Sequence, residues 1–105
     1  LKFLLERNIR PRFVVAIDAR DHWIPDISGC DTSCMTLIAS PFVAHEAIET
    51  WQGPIEWYVL PGGEGYNDQF VEDWPDIDYE ISGGNVISTG MCWALKYLNV
   101  RDVVF

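Results

Sequence analysis

The chain has 105 residues, of which 49% are hydrophobic, so it has the size and composition of one small globular domain and not of a disordered tail. Its formal net charge of −9 disfavours nucleic acid and anionic membrane surfaces as partners, because binding to either needs clustered Lys and Arg. No apolar run is long enough to span a bilayer, and three Cys, a sparse and odd number, indicate a reduced, cytoplasmic protein.

The first two predicted elements are the end of a helix and a buried strand. Residues 1–8 place Leu at helical spacing, with Asn8 as the stop and Pro11 preventing continuation. Residues 13–17 form a continuous apolar run, typical of a parallel strand that is covered on both faces. Asp18 follows at once, so we expect its carboxylate at the carboxyl edge of a sheet, where α/β proteins bind ligands.

A second strand and a helix are predicted next. Residues 19–33 are polar and indicate a loop with a short helix, whereas residues 35–39 indicate the second buried strand. Ser40 follows this strand, and we expect it to cap a helix that Pro41 opens. The apolar face predicted for this helix consists of Val43, Ala47, Ile48 and Trp51.

The third predicted strand leads into a long connection. Residues 55–60 are mainly apolar and indicate a strand. Residues 61–82 are acidic and aromatic, and an irregular connection of this length is often a functional lid or insertion. Its aromatic residues suit stacking on a sugar or a nucleobase, or pinning of the loop to the core.

A longer helix and the start of a fourth strand complete the chain. Gly83, Gly84 and Asn85 form a turn that opens the helix, and Asn99 is its expected end. Residues 103–105 indicate the beginning of a further strand. The apolar side predicted for the helix consists of Val86, Met91, Ala94, Leu95 and Leu98.

The order of these elements predicts the fold class. Strands that alternate with helices imply a parallel sheet with right-handed crossovers. We therefore predict an α/β fold, a Rossmann-like parallel sheet with flanking helices, as a single domain over residues 1–105. Because the first helix and the last strand are both cut short, we expect this domain to be partial, truncated at both ends.

Two stretches carry a family resemblance: residues 4–19, LLERNIRPRFVVAIDA, and residues 81–105, ISGGNVISTGMCWALKYLNVRDVVF. In this order and at this spacing they resemble the core domain of the motility accessory factor glycosyltransferases. The archaeal 6-hydroxymethyl-dihydropterin pyrophosphokinase-like proteins look like members of the same group, which is similar in fold to bacterial sialyltransferases that use cytidine-monophosphate sugars. The resemblance covers most of the chain, but the family's Gly-x-Gly-Pro-Ser-Leu-like phosphate turn is absent from this sequence.

The turn before the longer helix is the strongest local candidate for ligand binding. Gly83 and Gly84 would let a phosphate or sugar approach the backbone closely, and the helix N-terminus offers unpaired N–H groups. Asn85 and Ser88 could add side-chain hydrogen bonds. The alternative is that Asn85 caps the helix and the glycines only form the turn. The resemblance favours ligand contact.

Further candidates lie elsewhere in the chain. Asp18 could bind a ribose hydroxyl or a metal ion or act as a base, and with Asp21 it forms the one carboxylate pair that we consider for magnesium. Ser40 is a candidate ligand contact as well as a helix cap. His22 and His45 are the only imidazoles, and because the sequence places neither at a defined site, the catalytic base stays unassigned.

Three functions are compatible with these residues. The resemblance implies a nucleotide-sugar-dependent glycosyltransferase, sialyltransferase-like, which transfers a nonulosonate sugar to a protein or glycan acceptor without a certain cofactor. A pterin pyrophosphokinase is the second hypothesis, and it would need ATP and magnesium. A non-catalytic binding or assembly module is the third, because a fold does not fix a function. No metal site is predicted for the first, since Cys30 and Cys34 lack a second ligand pair for zinc.

Overall fold

The computed structural model describes residues 1–58, 72–73, 86–100 and 102. The chain divides into two compact units, Leu1–Trp57 and Tyr58–Phe105. None of the helices in the described part of the chain has the length and apolar character needed to cross a membrane.

The first unit is built on a small parallel sheet. Its strands are β1 (Phe13–Ala16), β2 (Thr36–Ala39) and β3 (Ile55–Trp57), in the order β1-β2-β3. The register pairs Ala16 with Ala39 and Ala39 with Trp57, so the carboxyl ends of all three strands are level. The predicted parallel sheet is confirmed over these residues, and this small sheet with its flanking helices is compatible with an α/β fold.

Burial differs among the three strands. The central β2 is buried from Leu37 onward, and β1 is half-buried except at Ala16. Among the described strands, β2 lies in the centre, and β1 and β3 each pair with β2. The continuous apolar run of β1 predicts cover on both faces, and the strand is half-buried apart from the buried Ala16, so it is less buried than β2.

The helices of this unit are short: α1 (Lys2–Leu5), a 3₁₀ turn (Asp21–Trp23), α2 (Ile24–Ile27) and α3 (His45–Thr50). The loop with a short helix that was predicted between the first two strands is confirmed by the second and third of these.

The first helix, α1, ends at Leu5, and the turns that follow it stop at Asn8. Asn8 has a φ of 59°, in the left-handed region that Asn tolerates well. Its N–H donates to the carbonyl of Leu5 and that of Ile9 donates to Leu4, which is the hydrogen-bond pattern of a Schellman motif. Asn8 therefore ends this helical segment as predicted.

The third helix starts later than predicted. It begins at His45 after Ala44, so Ser40 does not cap it and Pro41 does not open it. The Ser40 side chain instead accepts a hydrogen bond from the N–H of Phe42 at 3.4 Å, and its carbonyl accepts from Val43 at 3.0 Å. Such local bonds of a serine compete with helix formation, and here they produce a turn.

The core lies between the sheet and these helices. One cluster of buried residues combines the strands β1 and β2, the helices α2 and α3 and the turns beside them: Ala16, Ile27, Met35, Leu37, Ala39, Val43, Ala44, Ala47 and Trp51. Ile48 packs against it. The predicted apolar face of the third helix is thus confirmed, although Val43 reaches the core from the turn and not from the helix.

The second unit contains α4 (Val86–Tyr97). Its buried residues are Thr89 and Trp93, one helical turn apart, whereas Val86, Leu95 and Leu98 of the predicted apolar side are exposed. That face was wrong because a large Trp and a Thr set the buried stripe here. Asn99 has a φ of 51° and ends the helix region as predicted. The predicted 61–82 connection, apart from 72–73, and the strand at 103–105 lie outside the described residues.

Candidate functional site

The carboxyl edge of the sheet brings two of the predicted site residues to adjacent strands. Asp18 follows β1 by two residues, and Ser40 follows β2 directly. The N–H of Ser40 donates to the carbonyl of Ala16 at 3.1 Å, which continues the ladder past the last paired residues. The N–H of Ala44 donates to the carbonyl of Asp18 at 3.4 Å, so the loops that leave the two strands are joined.

An ionic cluster surrounds the Asp18 carboxylate. Its Oδ1 accepts hydrogen bonds from the backbone N–H of Arg20 and from Arg20 Nε, both at 3.0 Å, and its Oδ2 accepts from Arg20 Nη2 at 2.8 Å. His22 Nε2 lies 3.8 Å from the same Oδ2. These hydrogen bonds hold the pKa of Asp18 well below its usual range and raise the pKa of Arg20.

The loop that carries this cluster is attached to the core. Trp23, which packs against the core cluster, donates from Nε1 to the carbonyl of Asp18 at 3.3 Å. The same carbonyl accepts from Ala44, a buried residue. The backbone at Asp18 is therefore fixed from two sides while its side chain remains partly exposed.

Ser40 is buried, whereas Asp18 is partly exposed. Only 2% of its surface is exposed, and its Oγ is engaged by the N–H of Phe42. Its main observed role is to shape the turn between β2 and α3.

Two aromatic side chains at this edge were not anticipated. Phe42, in the turn after β2, is 47% exposed, and Trp57, at the end of β3, is 51% exposed. Exposed aromatic side chains at the ligand-binding edge of a sheet are suited to stacking with a nucleobase or a sugar. Trp57 lies in an apolar run that predicts a buried strand, and it is two residues from Ile55, which packs against the core, so strand periodicity gave no signal of its exposure.

Arg20 was also missed by the sequence reasoning. A sequence signal for it existed. Asp side chains often accept a hydrogen bond from the backbone N–H two residues later, which forms an Asx turn, and such a turn brings the side chains of Asp18 and Arg20 together.

The remaining predicted residues contribute less to the described site. Gly83, Gly84 and Asn85 lie outside the described residues, and Ser88 is half-buried in α4 of the second unit. Asp21 is exposed at the start of the 3₁₀ turn.

Neither histidine is fixed as a base, since His45 lies on the exposed side of α3, 3.3 Å from Glu49, and His22 belongs to the Asp18 cluster. Within the residues that the structure describes, no group of three or more His, Cys, Asp or Glu is arranged to hold a metal ion. All three cysteines are free of disulfide bonds: Cys30 is buried, Cys92 is half-buried and Cys34 is exposed.

Comparisons with protein-family models, with curated proteins and with solved structures found no match to this chain. What the chain does must therefore be inferred from its residues and their geometry, and the family resemblance stays a prediction.

Proposed function

We propose that this chain is the nucleotide-sugar-binding part of a Rossmann-like, sialyltransferase-like glycosyltransferase domain that acts in the cytoplasm. One observation carries the proposal: the Asp18, Arg20 and His22 cluster lies at the carboxyl edge of a parallel sheet, and the turn after the neighbouring strand at the same edge carries the exposed side chain of Phe42. Ligands of open α/β sheets bind at this edge. A cation, a carboxylate and an aromatic face together match a nucleotide attached to a sugar.

The chemistry that this arrangement supports is displacement at the anomeric carbon of a nonulosonate. The oxygen of an acceptor hydroxyl, on a protein or a glycan, forms a bond to that carbon. The bond from the carbon to the phosphate oxygen breaks, and its electron pair leaves with the nucleoside monophosphate, while a base takes the hydroxyl proton. Arg20 would stabilise the charge that grows on the departing phosphate, and Asp18 would accept a hydrogen bond from a sugar hydroxyl.

A thermal-shift titration tests this function. A ligand that binds only the folded state raises the melting temperature. We expect cytidine monophosphate and a cytidine-monophosphate sugar to stabilise the chain more than ATP does, and magnesium to add nothing to the effect of ATP.

The matched variants are Phe42→Ala, which removes an exposed ring at the carboxyl edge, and Phe3→Ala, which removes an exposed ring from α1. The shift should shrink in the first variant and persist in the second. Stabilisation by ATP only with magnesium would instead support the pyrophosphokinase, and no shift with any ligand would support the non-catalytic module.

A further inference from the structure

One donor edge of the Arg20 guanidinium makes no hydrogen bond to any residue in the described part of the chain. A guanidinium carries five N–H groups in a planar fork, and Asp18 occupies the side formed by Nε and Nη2. The opposite edge, formed by Nη1 and the second N–H of Nη2, makes no hydrogen bond to Asp18. The Arg20 side chain is 77% exposed, so this edge is open to solvent. Paired N–H donors of this kind match two oxygens of a phosphate.

The same guanidinium is held in place before any ligand arrives. Asp18 binds both the side chain and the backbone N–H of Arg20, and the Asp18 carbonyl is fixed in turn by Trp23 and Ala44. An arginine that is already ordered loses less conformational entropy when it binds an anion. The ordered Arg20 guanidinium is therefore better suited to binding an anion than a freely moving surface arginine would be.

Arg20 also stands apart from the other basic residues of the first unit. The other four, which are Lys2, Arg7, Arg10 and Arg12, all precede β1 in the chain. Arg20 alone follows the carboxyl end of a strand, and it is joined there by His22. The chain as a whole has a net charge of −9. Arg20 nevertheless places a positive charge at the edge of the sheet where α/β proteins bind ligands.

We infer that Arg20 binds the phosphate group of the nucleotide through the free edge of its guanidinium, with Asp18 holding that edge in position from the other side. This inference rests on the proposed function for the identity of the nucleotide, but the anion site itself does not depend on the sugar. The recognised chemistry is a phosphate with two accessible oxygens.

Isothermal titration of the chain with three probes tests the inference: cytidine monophosphate, cytidine and inorganic pyrophosphate. Arg20→Gln removes the fork and the charge, and Arg20→Lys keeps the charge without the fork. Arg10→Gln is the matched control, because Arg10 is an exposed arginine that also faces an aspartate, Asp31, at 3.9 Å.

We expect both Arg20 variants to bind cytidine monophosphate and pyrophosphate at least about tenfold more weakly, since a charge-assisted hydrogen bond to phosphate is lost. Cytidine should bind all variants equally, and Arg10→Gln should match the unmodified chain. Melting temperatures without ligand verify that each variant is folded. Equal phosphate affinity in Arg20→Gln overturns the inference, and full affinity in Arg20→Lys overturns the paired-donor geometry.

The outcomes separate the two proposals. If the unmodified chain binds pyrophosphate through Arg20 but no cytidine compound, the anion site stands and the proposed function fails. If cytidine monophosphate binds and Arg20→Gln has no effect, the proposed function stands and the role of Arg20 fails. If none of the probes binds, both are wrong.

Discussion

Gly53 is the position where a single added methyl group should destabilise the first unit most directly. A Cβ at this residue would lie 2.6 Å from the carbonyl oxygen of Thr32 and closer still to that of Met35. Both are backbone atoms of the turn that precedes β2, in which the N–H of Met35 donates to Thr32 at 2.9 Å. Because both contacts are with backbone atoms and not with a flexible side chain, the turn itself would have to shift and its hydrogen bond would weaken, so only glycine fits at this position.

The cost can be worked from these contacts. Overpacking against a fixed neighbour costs about 1–3 kcal/mol, and loss of the turn hydrogen bond adds about 1 kcal/mol. We therefore expect Gly53→Ala to lower the free energy of unfolding by about 3 kcal/mol. For a domain of this size that corresponds to a loss of roughly 12 °C or more in melting temperature.

Urea denaturation followed by tryptophan fluorescence measures the change, since the chain has five Trp. Gly29→Ala is the matched control, because Gly29 has a φ of 75° and a Cβ there would meet nothing within 4 Å. That variant carries only the backbone strain of the left-handed region, about 1–2 kcal/mol. If Gly53→Ala is no more destabilising than Gly29→Ala, the close approach of the turn to Gly53 is refuted.

Two further changes probe buried and ionic hydrogen bonds. Thr32→Val is expected to lower the free energy of unfolding by about 1 kcal/mol, because the buried Thr32 hydroxyl would no longer accept the hydrogen bond from the backbone N–H of Gln52, 3.0 Å away. Thr50→Val, at a more exposed helix end, should cost less in the same denaturation series, and an equal loss would contradict the reasoning. Asp18→Asn tests the ion pair with Arg20: since the native pKa of Asp18 is lowered, its stabilising contribution is present above the unfolded pKa of about 4 and is lost as the pH falls through the native pKa. The stability difference between this variant and the unmodified chain should therefore narrow below about pH 4, and a constant difference from pH 7 to pH 3 would argue against the pair.

The strands and the helix stops could be predicted from sequence because local chemistry decides them. Continuous apolar runs gave the positions of β1 and β2 to within one residue. Asn8 and Asn99 were expected to end helices, and both adopt the positive φ that Asn accepts at modest cost.

The start of α3 could not be predicted in the same way. Ser40 and Pro41 form a plausible cap and first residue, but the same serine also bonds to Phe42 and forms a turn. Which of two local patterns forms depends on tertiary contacts. Here Val43 and Ala44 reach the core from that turn, and the helix begins only after them.

Part of the candidate site could be predicted from the sequence pattern, and part is visible only in the folded chain. The position of Asp18 at a strand end follows from a single apolar run, so its place at the carboxyl edge was predictable. The pairing with Arg20 depends on the loop turning back at once, which puts charges two residues apart into contact. The net charge of the chain does not indicate this pairing, because one arginine has little effect on the net charge of a chain with sixteen acidic residues.

The site and the core of the first unit are mechanically joined through Ala44. This residue is buried in the core cluster and precedes the first turn of α3, and its N–H donates to the carbonyl of Asp18. Trp23 repeats the arrangement from the other side, with its ring against the core and its Nε1 on the same carbonyl. Packing forces that hold α3 and the 3₁₀ turn against the sheet therefore also fix the backbone from which Asp18 orients Arg20. The hydrophobic core therefore fixes the position of the Arg20 guanidinium through the backbone of Asp18, although the guanidinium itself is exposed to solvent.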